Sequence, residues 1–189
     1  MAASKTNSSW NDYGESHYIG PLRESAIVPG ARGYVSSIPH DALQFVLPYY
    51  TAAYKAGSRE VHIESEGAVF WYRTSAKHAG EDGGTTVGPQ GNVSAVEAVE
   101  DAVFVLTLSN TATSVEVGIG GVGETFAVGK GAQMVKVAFA GRTGVVRVGI
   151  KGKWGTGPKE IVALAEGGRV NFNPVVARTG ESGAECYGH

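Results

Sequence analysis

From Trp10 to Gly20 the chain reads Trp-Asn-Asp-Tyr-Gly-Glu-Ser-His-Tyr-Ile-Gly, eleven residues holding two carboxylates, an imidazole, a carboxamide and three aromatic rings. A core strand has no use for so many polar groups. Carboxylate, imidazole and amide exchange hydrogen bonds with hydroxyls, and aromatic rings cover the apolar face of a pyranose. Trp10, Asn11, Asp12, Glu15, His17 and Tyr18 are therefore the candidate contacts of a sugar site. An alternative stays open at this point: the same side chains could decorate a segment folded on the core, with Trp10 and Ile19 burying area.

Other chemistries fit less well. Ser16, His17 and Asp12 spell a nucleophile, a base and an acid, but such close neighbours rarely take triad geometry and no Gly-x-Ser-x-Gly elbow is present. Glycoside hydrolysis needs two carboxyl groups facing the scissile bond, about 5 to 10 Å apart. Asp12 and Glu15 are three positions apart on one segment, so neither is assigned a catalytic role. His40, His78 and His189 lack metal-ligand spacing to a Cys or second His, and no metal or cofactor is expected. Two further places offer rings for a second sugar platform. Trp71 and Tyr72 alternate across a strand, so one should be core and the other free, while Trp154 sits in the loop-like Lys151 to Gly155. His62, between Val61 and Ile63, should face solvent.

The elements that would carry these groups change character at Gly57. From Asp41 to Ala56, apolar residues at 42, 43, 46, 47, 50, 53 and 54 follow helical spacing. Ser37 or Asp41 could cap that helix, Pro48 should kink it, and Lys55 with Gly57 should end it. Beyond Gly57 the period is two. Residues 60–73 read as a hairpin, Ala102 to Leu108 as a strand buried on both faces, and Ser114 to Ile119 as an alternating strand. Val135 to Phe139 and Val146 to Ile150 should pair as a hairpin about the 140–144 turn, and Ile161 to Leu164 and Val170 to Val176 complete about eight strands, a β-sandwich pattern.

Composition agrees with a mainly β chain: 28 glycines against 7 prolines in 189 residues, with 42% hydrophobic and 18% charged residues. A formal charge of -2 and scattered basic residues give no reason to expect nucleic acid. No apolar run is long enough for a membrane span, and the first residues carry no apolar export signal. Cys186 is the single cysteine, so no intrachain disulfide is expected. The glycine-rich run from Gly80 to Asn92 lacks the Gly-Lys-Ser/Thr of a phosphate cradle. Asn7 and Asn92 head glycosylation sequons.

Three blocks resemble glycoside hydrolase family 71, the fungal α-1,3-glucanases or mutanases. WNDYGESHYIGP at 10–21 resembles the family's last active-site segment near the end of its (β/α)8 barrel. PHDALQFVLPYYTAAYKAG at 39–57 is similar to its final helix. VFWYR at 69–73, the strand at 102–108 and VNFNPVVA at 170–177 are similar to the β-sandwich after the barrel. Residues 22–38 and the loop at 76–92 depart from the pattern. Residues 1–9, small and polar, are expected as a disordered leader; the resemblance implies a barrel-end strand and helix at 10–57 and a β-sandwich at 58–178, with a flexible tail expected at 179–189. A full barrel takes about 250 residues, and the family's catalytic acids lie on earlier barrel strands. The expectation is a truncated glucanase-like chain from a fungal cell-wall context that binds α-1,3-glucan or another glycan without efficient hydrolysis by itself. The alternatives are a protein-interaction or self-associating β-sandwich, with an oligomer left open, and a fragment of a full-length hydrolase. The family is usually secreted; this sequence leaves localisation unassigned.

Overall fold

The computed structural model describes residues 9–81 and 95–180. Cys186, the sequons at Asn7 and Asn92, and the glycine run from Gly83 to Gly91 lie outside them. Among the described residues eight strands form: β1 Gly67–Tyr72, β2 Ala102–Ser109, β3 Thr113–Ile119, β4 Val122–Val128, β5 Gly131–Ala138, β6 Val146–Ile150, β7 Lys153–Thr156 and β8 Val175–Arg178. They make two antiparallel four-stranded sheets, ordered β5-β2-β1-β8 and β4-β3-β6-β7. The chain is mainly β, with two short helices, α1 Arg32–Val35 and α2 Leu47–Ala56, among the described residues. No helix among these residues is long and apolar enough to cross a membrane.

Alternation places one row of each sheet in a shared core. Phe70, Tyr72, Val103, Val105 and Val137 come from the first sheet, and Val115, Val117, Ile119, Val146, Val148 and Ile150 from the second. Each such side chain contributes about 1.5 to 3 kcal/mol on burial. The outer row of the first sheet is apolar too: Leu106, Leu108, Val69 and Val176 pack with Val46 and Tyr49, and Trp71 stacks on Phe104 with centroids 5.8 Å apart. A 3₁₀ stretch, Asp41–Val46, and α2 lie on this face.

Several expectations about connections fail for physical reasons. Val135 to Phe139 and Val146 to Ile150 do not pair: β5 joins β2 and β6 joins β3, so the 140–144 turn crosses between sheets. Ala140 and Gly141, with φ of 48° and 76°, make a reversal that serves a crossover as well as a hairpin. Residues 60–66 are not a strand; β1 pairs with β2 and β8 instead. Ile161 and Val162 form isolated bridges, and the last strand begins at Val175. β4 was unforeseen because its side chains are largely exposed. It is reached through Gly120 and Gly121, whose φ of 59° and 87° suit a two-residue hairpin turn.

The expected long helix is a 3₁₀ stretch followed by α2, with Pro48 in the first turn, where its missing N–H costs nothing, so there is no mid-helix kink. Neither Ser37 nor Asp41 caps it by a side-chain bond; Gly57 closes it at φ 60°, as the sequence indicated. Thr179 is buried, accepts from the Ala68 N–H at 2.9 Å, and is followed by Gly180, which bridges to Trp154.

Candidate functional site

Residues 9–20 fold into a looped reversal rather than an extended strand, the chain turning back twice so that Ser9 and Tyr18 meet in a parallel bridge. The Ser9 N–H donates to His17 O at 2.7 Å, Ile19 N–H to Ser9 O at 3.0 Å and Gly20 N–H to Trp10 O at 2.8 Å. Inside this clasp, Asp12 organises the tip. Its N–H donates to Ser9 Oγ at 2.9 Å, and its Oδ1 accepts from the Glu15 N–H at 3.1 Å. Ser16 takes a left-handed φ of 59° and turns the chain back.

Two buried tyrosines hold the reversal to the body. Tyr13 donates to Pro21 O at 3.0 Å, and its oxygen accepts from the Arg23 N–H at 3.1 Å. Tyr18 donates to Ile38 O, meets the Tyr13 ring edge-on and stacks on His40 at 4.2 Å with planes 6° apart. Burial pushes the Tyr18 phenol up to about 12. Burial also lowers the His40 pKa below its usual 6.5; its Nε2 lies 2.9 Å from Pro174 O.

Between these anchors, the functional groups face water. Glu15 and His17 side chains are 74% and 54% exposed, with Oε2 and Nδ1 3.5 Å apart. Polar atoms of Asp12, Glu15 and His17 lie within 4.8 Å of one another. They could ligate a cation or hydrogen-bond hydroxyls, and proximity alone does not choose. Trp10 is 58% exposed. Its indole lies over the Gly20 backbone: a Cβ at Gly20 would stand 2.8 Å from Cε2 and 2.9 Å from Cδ2. Glycine there lets the ring lie down, a role the sequence did not reveal.

The structure brings Asp12, Glu15 and His17 together, and carries exposed Trp10 and Asn11 on the same segment. Tyr18 is in the same segment but 1% exposed, so it anchors the site and offers no open ring face. Tyr72 is likewise in the shared core, donating to Lys159 O, and cannot be a platform. Trp71 is part-buried against Phe104 on the covered outer face. Trp154 lies on β7, not in a loop, because Lys151 and Gly152, at φ 50° and 75°, form a tight two-residue turn. It remains 41% exposed. His62 faces solvent as expected.

Supporting residues escaped the sequence reading because their contacts are long-range. The Asn171 and Asn173 amides donate to Tyr34 O at 3.2 and 3.0 Å. Tyr34 donates to Gly14 O at 2.7 Å, and the Gln44 amide donates to Ile19 O at 2.7 Å. The Asn-Phe-Asn-Pro stretch is thus tied to the reversal from the far end of the chain. Concavities occur elsewhere: one of about 540 Å³ along Gln44, Leu47, Pro48 and Thr51, and one of about 590 Å³ between Tyr50, Arg59 and the β5 edge.

Comparison with known proteins bears on the same segment. A mutanase of Penicillium rubens is 35% identical over 147 residues, covering 71% of this chain and 32% of its own length. A glucan endo-1,3-alpha-glucosidase of Schizosaccharomyces pombe is 33% identical over 168 residues, 87% of this chain and 38% of its own. The ascus wall endo-1,3-alpha-glucanase of the same yeast is 28% identical over 138 residues. The chain thus spans about a third of the length of these curated relatives, between 31% and 38%. No solved structure matches it. The pattern of Glycosyl hydrolase family 71 matches residues 7–186, nearly the whole chain, and to that family this chain belongs.

Proposed function

We propose that this chain binds an α-1,3-glucan through the 9–20 reversal, with Trp10 stacking on a sugar ring and Asp12, Glu15 and His17 bonding its hydroxyls. The observation that carries this reading is one anchored segment that holds both an exposed indole laid on Gly20 and a cluster of three polar side chains. Membership of a glycosyl hydrolase family, and relatives named for glucan endo-1,3-α cleavage, supply the substrate class. The two sheets are read as a β-sandwich, and Tyr34 of α1 with Gln44 of the 3₁₀ stretch prop the reversal.

Hydrolysis is not assigned to Asp12 and Glu15. Their oxygens sit on one side of one turn, within 4.8 Å, whereas a hydrolytic pair brackets the bond from two directions. The reading is therefore glucan binding without efficient turnover by this chain alone. Depletion of the purified chain by insoluble α-1,3-glucan, with reducing-end release followed in the same tubes, tests both parts. Binding weakened by Trp10→Ala with no release is the expected result. Release that disappears in Glu15→Gln would show that the reversal carries catalysis.

One observation favours a second reading, self-association. Leu47, Tyr50 and Tyr54 of α2 are 42%, 47% and 86% exposed, Leu47 lining the 540 Å³ concavity and Tyr50 the 590 Å³ one. Sedimentation equilibrium decides it: a dimer dissociated by Tyr54→Lys would support that reading, and a monomer at every concentration would remove it.

A further inference from the structure

The outer faces of the two sheets are built for different neighbours. On the second sheet, register aligns Thr125, Glu116, Gly149 and Trp154 in one cross-strand row, and Gly123, Gly118, Arg147 and Thr156 in the next. Every side chain in these rows, from Thr125 and Glu116 to Arg147, Trp154 and Thr156, is exposed.

The indole of Trp154 does not project from this face. A Cβ on Gly149 would lie 2.8 Å from Cε3, Cζ3 and Cη2 alike, so the ring spreads flat across the glycine. Arg147 reaches over it, its guanidinium carbon 5.4 Å from the ring centroid, and Trp154 keeps 41% of its surface exposed. Glu116 leans toward β4, its Oε1 3.3 Å from where a Gly123 Cβ would be. Gly118, with no side chain within 4 Å of where its Cβ would be, leaves the face low between Glu116 and Arg147, and a row across four strands spans about 14 Å.

We propose that this face is a second glucan-contacting surface, on which Trp154 stacks against a pyranose ring while Glu116, Thr125, Arg147 and Thr156 bond its hydroxyls. The face matches a neutral, hydroxyl-rich chain. Glu116 and Arg147 offset one another, so no field favours a polyanion. A protein partner needs an apolar patch at the centre of its interface, whereas here one indole lies among glycines and hydroxyls. The choice of α-1,3-glucan rests on the functional reading above; the surface itself does not use the 9–20 reversal.

The test is depletion binding of the full chain on insoluble α-1,3-glucan, with thermal midpoints recorded for every variant. Trp154→Ala should weaken binding about tenfold, and Gly149→Ala, which keeps the indole but lifts it off the sheet, should weaken it several-fold. Unchanged affinity in folded Trp154→Ala overturns the proposal. If Trp154→Ala fails to fold, Gly149→Ala and Glu116→Gln decide, and unaltered binding in both overturns it. Loss confined to Trp10→Ala removes this surface and leaves the reversal. Loss confined to Trp154→Ala does the opposite. No binding by the parent chain removes both. A shift in sedimentation mass on Trp154→Ala would make the face a contact between copies and overturn the proposal.

Discussion

Trp10 and Trp154 both lie over a glycine with a face to solvent, yet the ground beneath them differs. Trp154 rests on a strand, and its position follows from the Lys151-Gly152 turn and the β6–β7 register. Trp10 rests on an irregular reversal with one isolated bridge, held by side chains from Tyr18, Tyr34, Gln44 and Asn173. A flat aromatic surface can thus be set by local hydrogen bonding or by distant anchors. The second kind should be easier to break from afar. Trp71 is the contrast to both, since it shares an outer face with aliphatic side chains and is covered.

The sharpest way to break the comparison is Tyr18→Ala. Removing a buried aromatic that also donates to Ile38 O should cost about 3 to 5 kcal/mol, read by urea unfolding, and should abolish whatever binding depends on Trp10. Trp154 should keep the same accessibility to added quencher in the folded fraction. Trp10→Ala should leave stability within about 0.5 kcal/mol while weakening retention on α-1,3-glucan about tenfold. Smaller again is Arg147→Ala, where loss of an exposed cation–π contact should cost about 0.5 to 1 kcal/mol, seen as a modest fall in thermal midpoint. That fall should not extend to the reversal.

Acid should separate the two regions as well. Burial depresses the His40 pKa below 6.5, so above that pH the ring is neutral in folded and unfolded chains alike. As pH falls below 6.5, the unfolded state takes up the proton first and stability drops. His40→Gln should flatten the thermal midpoint across that window; an unchanged slope would mean His40 is not the sensor. Because His40 stacks on Tyr18, the loosening should begin at the reversal rather than on β7.

What could be read from the sequence was local. Val115, Val117 and Ile119, like Val146, Val148 and Ile150, announce their strands because each buries every second side chain. Their partners are not announced, since the Ala140 to Gly144 turn serves a hairpin or a crossover, and only the packed sheets choose. β4 hides because an edge strand can expose both faces. Trp10, Asp12, Glu15 and His17 stood out by chemical type, whereas Tyr18 and Tyr72 show the limit of that signal. An aromatic beside polar residues is a ligand surface or a core anchor according to burial, and burial here depends on residues as distant as Asn173.

The chain has three tryptophans, which makes their indole N–H resonances the most direct probe of the central claim that the Trp10 reversal contacts glucan. Titration with a soluble α-1,3-linked gluco-oligosaccharide should shift the Trp10 signal and leave part-buried Trp71 in place. A saturating titration in which Trp10 stays unmoved would contradict the account.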